Sequence, residues 1–312
     1  MKDFLALSKL KKFYLPLSFT AIVLILLILL GVDVYVKKAT DKDRILPSSL
    51  VVSTKIKFPV LKTEFVPFIS ANGAVIMDAD SKTVLFAKNP QLRFSPASTT
   101  KIMTALTALE YFKPGDILTV KTATSDGVVL GLEKGEKMTF ENLLYALLLP
   151  SANDAALAIS ENYPGGENAF VNKMNENAKK FNLFNTHYQD PAGLLDDGDY
   201  TTPVDLARLA SQAIKNPEFA KIVSTKNKTI TDISGYNVYS LNNLNKLLGI
   251  DGVYGVKTGY TEEAGQVLVT SKLENGHTII LIVMSSEDRF FDTEKLLDLV
   301  SGNLTYLSIH QE

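Results

Sequence analysis

The sequence predicts an α+β domain built on a central antiparallel sheet flanked by helices with an all-helical lobe, and three observations carry that expectation. Two β-rich runs, AVIMDADSKTVLFAKN at 74–89, flank the turn-forming DADSK and read as a hairpin. GQVLVTSKL and HTIILIVMSS, joined by Glu274-Asn275-Gly276, read as a second hairpin near the other end of the chain. Helical periodicity dominates between them. Strands at both ends around a helical middle, with hairpins that impose antiparallel pairing, give the α+β class.

The helices can be justified in order. FSPASTTKIMTALTALE (94–110) has apolar residues at 102, 105, 106 and 109, and carries no charge between Lys101 and Glu110. A helix uncharged all round is a buried helix. TFENLLYALLL (139–149) has Thr139 as candidate N-cap and Glu141 in its first turn. Pro150 stops it, and SANDAALAISENY begins another. ENAFVNKMNENAKKF (167–181) places Phe170, Met174, Ala178 and Phe181 on one face. TTPVDLARLASQAI (201–214) has Thr202 as cap, Pro203 at the first helical position and Asp205 three after the cap. KTITDISGYNVYS (228–240) reads as a further hairpin, and RFFDTEKLLDLV (289–300) as a closing helix.

The 312 residues are 46% hydrophobic and 21% charged with net charge -2, so no bulk charge favours nucleic acid. Cysteine is absent, which removes disulfides, thiol nucleophiles and thiolate metal sites. His187, His277 and His310 are scattered, with no pair at metal-ligand spacing, and no metal or cofactor is expected. Residues 13–32, with AIVLILLILL at 21–30, form a charge-free run long enough for a bilayer core of roughly 20 apolar residues. The run continues into GVDVYVKK without a small-residue cleavage site, so residues 1–36 read as a short tail and a retained signal-anchor helix in contact with the lipid bilayer. Lysines and arginines on its two sides balance, leaving orientation open on charge alone. Residues 37–69 read as a spacer, and 70–312 as the globular domain.

Lys101 is a charge without a nearby acid in a buried helix. Ser98 lies three residues before it, on the same face if the helix extends that far. A desolvated lysine loses proton affinity and can act as base toward a neighbouring hydroxyl. The plain alternative is a lysine that snorkels to solvent. Ser151-Ala152-Asn153 sits at the break between two apolar helices, as a polar pair in a site or as a helix cap. Lys257-Thr258-Gly259 follows a β-compatible run; it marks a strand edge where a substrate backbone could approach, or an exposed edge lysine beside a turn.

Ser-x-x-Lys, Ser-x-Asn and Lys-Thr-Gly in this chain order resemble the signature of penicillin-binding proteins and class A β-lactamases. PASTTKIMTA, LLLPSANDAA, DPAGL followed by TTPVDLA, and VKTGYTEEAG are similar to the blocks of one branch, the serine D-alanyl-D-alanine carboxypeptidases of peptidase family S11. The resemblance spans roughly residues 70–300. It implies a β-lactamase/transpeptidase-like fold and release of terminal D-alanine from peptidoglycan stem peptides, with β-lactam antibiotics as acylating inhibitors. Ser98 would be the nucleophile, Lys101 its base, and Ser151 a proton relay to the leaving amine. Asn153 would hold the substrate backbone, and Lys257 would supply positive potential. Thr258 and Arg289 would bind the terminal carboxylate beside Gly259, and the N–H groups of Ser98 and Tyr260 would form the oxyanion hole. Arg289 also reads as an ordinary surface arginine at a helix start.

The chain departs from well-known relatives in stopping at Glu312, with no β-rich second domain, and in carrying its anchor at the N-terminus. Ala192 and Tyr260 stand where histidine is frequent. Activity on stem peptides implies a cell-membrane location with the catalytic domain outside the cytoplasm. A β-lactamase is the nearest alternative, but no E-x-x-L-N stretch follows Asn153. A D,D-endopeptidase would use the same residues, and a non-catalytic cell-wall binding module would not require all three motifs intact.

Overall fold

The computed structural model describes residues 22, 24–32, 56–63, 65–195 and 197–309. Residues 55–309 form one compact unit. Its framework is a five-stranded antiparallel sheet in the order β3 (Val84–Lys88), β2 (Gly73–Asp78), β10 (His277–Ser286), β9 (Gly265–Glu274) and β8 (Val253–Thr261). The order follows from the hairpins: β2 joins β3, β9 joins β10, and β10 then pairs with β2 across the whole domain. Asn275 and Gly276 both have positive φ, the geometry that lets a tight turn match strand twist. At the other hairpin Asp78 Oδ1 accepts the Ser81 N–H at 2.7 Å, fixing the turn.

Because successive strand residues face opposite sides, the central strands feed two cores. Val75, Met77, Ile280, Ile282 and Met284 pack into the helical lobe. Ala74, Ile76, Ile279, Leu281 and Val283 pack against Leu296, Leu297 and Val300 of the last helix, α7 (Arg289–Val300). Burial on both faces explains why HTIILIVMSS reads as a continuous apolar run rather than an alternating one.

The lobe holds α1 (Lys101–Leu109), α2 (Phe140–Leu148), α3 (Asn153–Asn162), α4 (Gly166–Lys180), α5 (Pro203–Ala213) and α6 (Pro217–Val223). Thr139 caps α2 by accepting the Asn142 N–H, and Thr202 caps α5 by accepting that of Asp205. A short 3-10 turn, Ala97–Thr100, leads into α1, of which residues 101–108 are all buried. The hairpin expected at 228–240 is β6 (Asn227–Thr231) with β7 (Val238–Asn242), and β4 (Ile117–Thr119) pairs with β5 (Lys137–Thr139). β1 (Ile56–Leu61), inside the stretch read as spacer, pairs antiparallel with β11 (Leu304–Ile309).

Residues 24–32 are helical with exposed apolar side chains. Among the described residues no helix is long and apolar enough to cross a membrane. The rest of the expected span, residues 13–21 and 23, lies outside them.

Candidate active site

Ser98 and Lys101 meet because the 3-10 turn and the first turn of α1 run continuously. Lys101 Nζ lies 2.9 Å from Ser98 Oγ and donates to the Ala192 carbonyl at 2.7 Å. Lys101 is 0% exposed, so it does not snorkel. Burial lowers its pKa to about 7, with Asp190 pulling weakly the other way. Its amine therefore gives up its proton far more readily than an ordinary lysine, next to the Ser98 hydroxyl.

The residues that hold Lys101 in place escaped sequence reading. The carboxylate of Asp190 accepts the N–H groups of Ala192, Gly193, Leu194 and Leu195, at 2.6 to 3.0 Å. This folds the DPAGL loop so that the Ala192 carbonyl faces the lysine, while Thr104 Oγ1 ties down the Pro191 carbonyl at 2.6 Å. Gly193 has φ +75, and a Cβ there would overlap the Ala97 carbonyl. The available signal was an aspartate followed, within four residues, by proline and glycine.

Ser151 and Asn153 lie at the junction of α2 and α3. Neither is a helix cap: Ala152 occupies the cap position of α3 and Asn153 is its first residue. Ser151 has φ +72, and its Oγ is buried without a hydrogen-bond partner. Asn153 Nδ2 donates to the Asp126 carbonyl at 2.8 Å, whereas its buried Oδ1 is unpartnered. Both orphan oxygens belong to motif residues and have a hydrogen bond left to make. The next residue, Asp154, accepts the N–H groups of Leu130, Gly131 and Leu132 and so moors the loop that runs over Asn153.

The third motif lies on β8, the edge strand beside β9. Lys257 is 2% exposed, so it is no surface edge lysine. Its pKa is pushed far down by burial, then by the positive Lys101 and Arg289 nearby. Thr258 is buried next to it. At Gly259 a Cβ would come within 3.2–3.3 Å of Pro96 O, Ala97 Cβ and Thr99 Cγ2. The missing side chain lets the strand press on the turn that carries Ser98. Arg289, first residue of α7, is half-buried and donates from Nη1 to the Gly259 carbonyl at 2.7 Å, with its Nε unpartnered. Burial lowers its pKa. It is therefore joined to the strand rather than spread on the surface. Tyr260, the next residue, is 61% exposed.

Ser98, Lys101, Lys257, Gly259 and Arg289 are thus neighbours, and Asn153 lines one cavity together with Ala192, whose carbonyl holds Lys101. Ser70-Ala71-Asn72, an identical Ser-x-Asn string, has a structural task instead. Ser70 Oγ donates to Asp292 of α7 at 2.7 Å.

Comparison with known proteins gives the chain a family. A family model described as Peptidase_S11, D-alanyl-D-alanine carboxypeptidase, matches residues 61–288. The chain is 34% identical over 238 residues to the D-alanyl-D-alanine carboxypeptidase DacF of Bacillus subtilis, a match covering 73% of this chain and 61% of DacF. It is 31% identical to a D-alanyl-D-alanine endopeptidase of Pseudomonas aeruginosa, covering 71% and 73% respectively. The crystal structure of the Streptomyces K15 DD-transpeptidase superposes with a TM-score of 0.71 at 34% identity, over 75% of this chain and 98% of that one. The chain belongs to the D-alanyl-D-alanine carboxypeptidase family, the serine peptidases of family S11.

Proposed function

We propose that this protein is a serine D-alanyl-D-alanine carboxypeptidase that removes the terminal D-alanine from peptidoglycan stem peptides and is acylated by β-lactams. The observation that carries the reading is the dry Lys101 amine 2.9 Å from Ser98 Oγ, with a pKa near neutrality.

Lys101 takes the Ser98 proton as Oγ attacks the carbonyl of the penultimate D-alanine. The Ser98 and Tyr260 N–H groups receive the developing oxyanion. Collapse breaks the peptide bond, and the leaving amine takes its proton through Ser151, whose unpartnered Oγ is free to relay it. Water then hydrolyses the acyl-enzyme and restores Ser98. Asn153 pairs with the substrate backbone, while Thr258 and Arg289 bind the terminal carboxylate. Lys257 supplies positive potential to that relay.

Residues 13–32 act as a signal anchor in the cell membrane, with the domain on the extracytoplasmic side where stem peptides lie. The apolar, charge-free run supports this.

Release of D-alanine from a D-Ala-D-Ala-terminated pentapeptide, measured beside cleavage of a cross-linked dimer, tests the reading. Release from the pentapeptide at the higher kcat/KM is expected. Cleavage of only the dimer would make the chain an endopeptidase, and rapid turnover of penicillin would make it a β-lactamase.

A further inference from the structure

Away from the catalytic cluster, apolar side chains crowd the surface where the chain enters the compact unit. β1 and β11 form a two-stranded ribbon in which Phe58 pairs with Leu307 and Val60 with Thr305. Paired residues share a face, and their neighbours along each strand point the other way. Pro59 and Leu304 are buried, and Leu61 and Tyr306 pack on the second core, so Phe58, Val60, Thr305 and Leu307 face outward. Leu307 is 58% exposed. The segment directly after β1 continues this character. Phe65, Val66 and Phe68 are 66%, 72% and 92% exposed, while Pro67 and Ile69 are buried and pin the segment down. The Ile69 carbonyl also accepts from Lys88 Nζ at 3.1 Å.

Charge and chain order indicate what covers this face. From Arg44 to Thr63 every charged residue is basic, namely Arg44, Lys55, Lys57 and Lys62, and β11 adds no charge. Lys57 and Lys62 are exposed on the ribbon. A second copy docked about a twofold axis would bring these like charges together. An anionic lipid surface accepts both the lysines and the rings. The charge-free run ends at Val32, and residues 33–55 reach at most about 80 Å when fully extended. The ribbon therefore stays within reach of a bilayer that holds that run, and a contact too weak to retain the free domain is enough to orient the tethered one.

We propose that the outward face of the β1–β11 ribbon and the segment from Phe65 to Phe68 rest on the anionic lipid surface of the membrane, with the phenylalanine rings at headgroup level. This rests on the signal-anchor reading above. The docked orientation also serves catalysis. β1 touches β3 at one edge of the five-stranded sheet, and Tyr306 of β11 donates to Asp78 at the end of β2 at 3.1 Å. β8, which carries Lys257 and presses on the Ser98 turn, is the opposite edge, roughly 19 Å away at the usual strand spacing. Docking by the ribbon turns the catalytic edge away from the bilayer, toward the peptidoglycan.

The chain contains no tryptophan, so Phe68→Trp supplies a single reporter at a ring that packs on little else. Tyr236→Trp, 90% exposed between β6 and β7, is the control. Each full chain is reconstituted in vesicles of phosphatidylglycerol and phosphatidylcholine, with or without brominated acyl chains, then floated and read by fluorescence. Bromolipid should quench the Phe68→Trp reporter roughly twofold or more and leave the Tyr236→Trp control bright. Adding Lys57→Gln and Lys62→Gln should lower the ratio of docked to free domain about fivefold per lysine and return emission toward the unquenched level. Fluorescent penicillin labelling of each variant reports that its domain is folded. A floated chain whose Phe68→Trp reporter is quenched no more than the control overturns the docking and leaves the anchor standing. Quenching unchanged by the lysine substitutions overturns the assignment to anionic lipid. Emission that shifts to the blue with protein density, without bromolipid quenching, gives the face to a second copy and overturns the proposal as well. A chain that does not float with the vesicles overturns both docking and anchor.

Discussion

At the scale of single residues, chemistry here depends on one lysine being dry. Lys101 was legible because α1 carries no other charge and Ser98 stands at the right spacing. What spacing could not decide was whether the amine reached solvent, since four methylenes are long enough to do so. Three-dimensional packing decided it, through the Ala192 carbonyl. With a pKa of about 7, the acylation rate should rise with pH through neutrality and level off above it. Lys101→Arg, which stays protonated, should fold and lose acylation by roughly 10²–10⁴-fold, the range for removing a general base. Stopped-flow acylation by a chromogenic cephalosporin across pH 5–9 would measure both; a flat wild-type profile counts against the lysine as base. The same group affects stability with a definite sign. Its folded pKa lies below 10.5, so the unfolded chain binds more protons between the two values. Its contribution is least favourable below about pH 7 and improves as pH rises toward 10.5.

Loops and strand edges, rather than the helices, position the site. Thr139, Thr202 and Pro203 announced their helices through local chemistry, and those helices formed as expected. The DPAGL loop and β1 announced little. The loop is built by an aspartate gathering distant amides, and β1 gains its partner only when β11, at the far end of the unit, folds beside it. Long-range pairing of this kind leaves no local pattern to read. Asp190→Ala would leave four N–H groups without their acceptor, two of them on the buried residues Ala192 and Gly193. It should cost on the order of 3 kcal/mol in urea unfolding. It also removes the one negative charge that raises the Lys101 pKa, so the acylation profile should shift to lower pH. Gly259→Ala tests the strand edge. Its Cβ would press on Pro96 and Thr99 within 3.3 Å, so acylation should slow at least several-fold while thermal stability changes little by comparison. Normal acylation with that variant would mean that the contact between β8 and the Ser98 turn is incidental.

For the whole molecule, two cores share one sheet, and the first and third motifs, separated by many residues, meet at its edge. The order of the motifs was visible in the chain; their convergence needed the pairing of β8 with β9 and the packing of the 3-10 turn on β8. The compact unit 55–309 contains all of them. On the proposed anchor, deleting residues 1–36 should turn a membrane-bound protein into a soluble one and leave penicillin labelling intact, as read by fractionation and in-gel fluorescence. Loss of labelling would show that the N-terminal segment supports the fold. The most direct test of the central claim is peptide mapping by mass spectrometry after incubating the full chain with benzylpenicillin. A penicilloyl adduct on the peptide carrying Ser98, absent in Ser98→Ala, is the predicted result; an adduct that persists in Ser98→Ala, or none on the wild type, contradicts it.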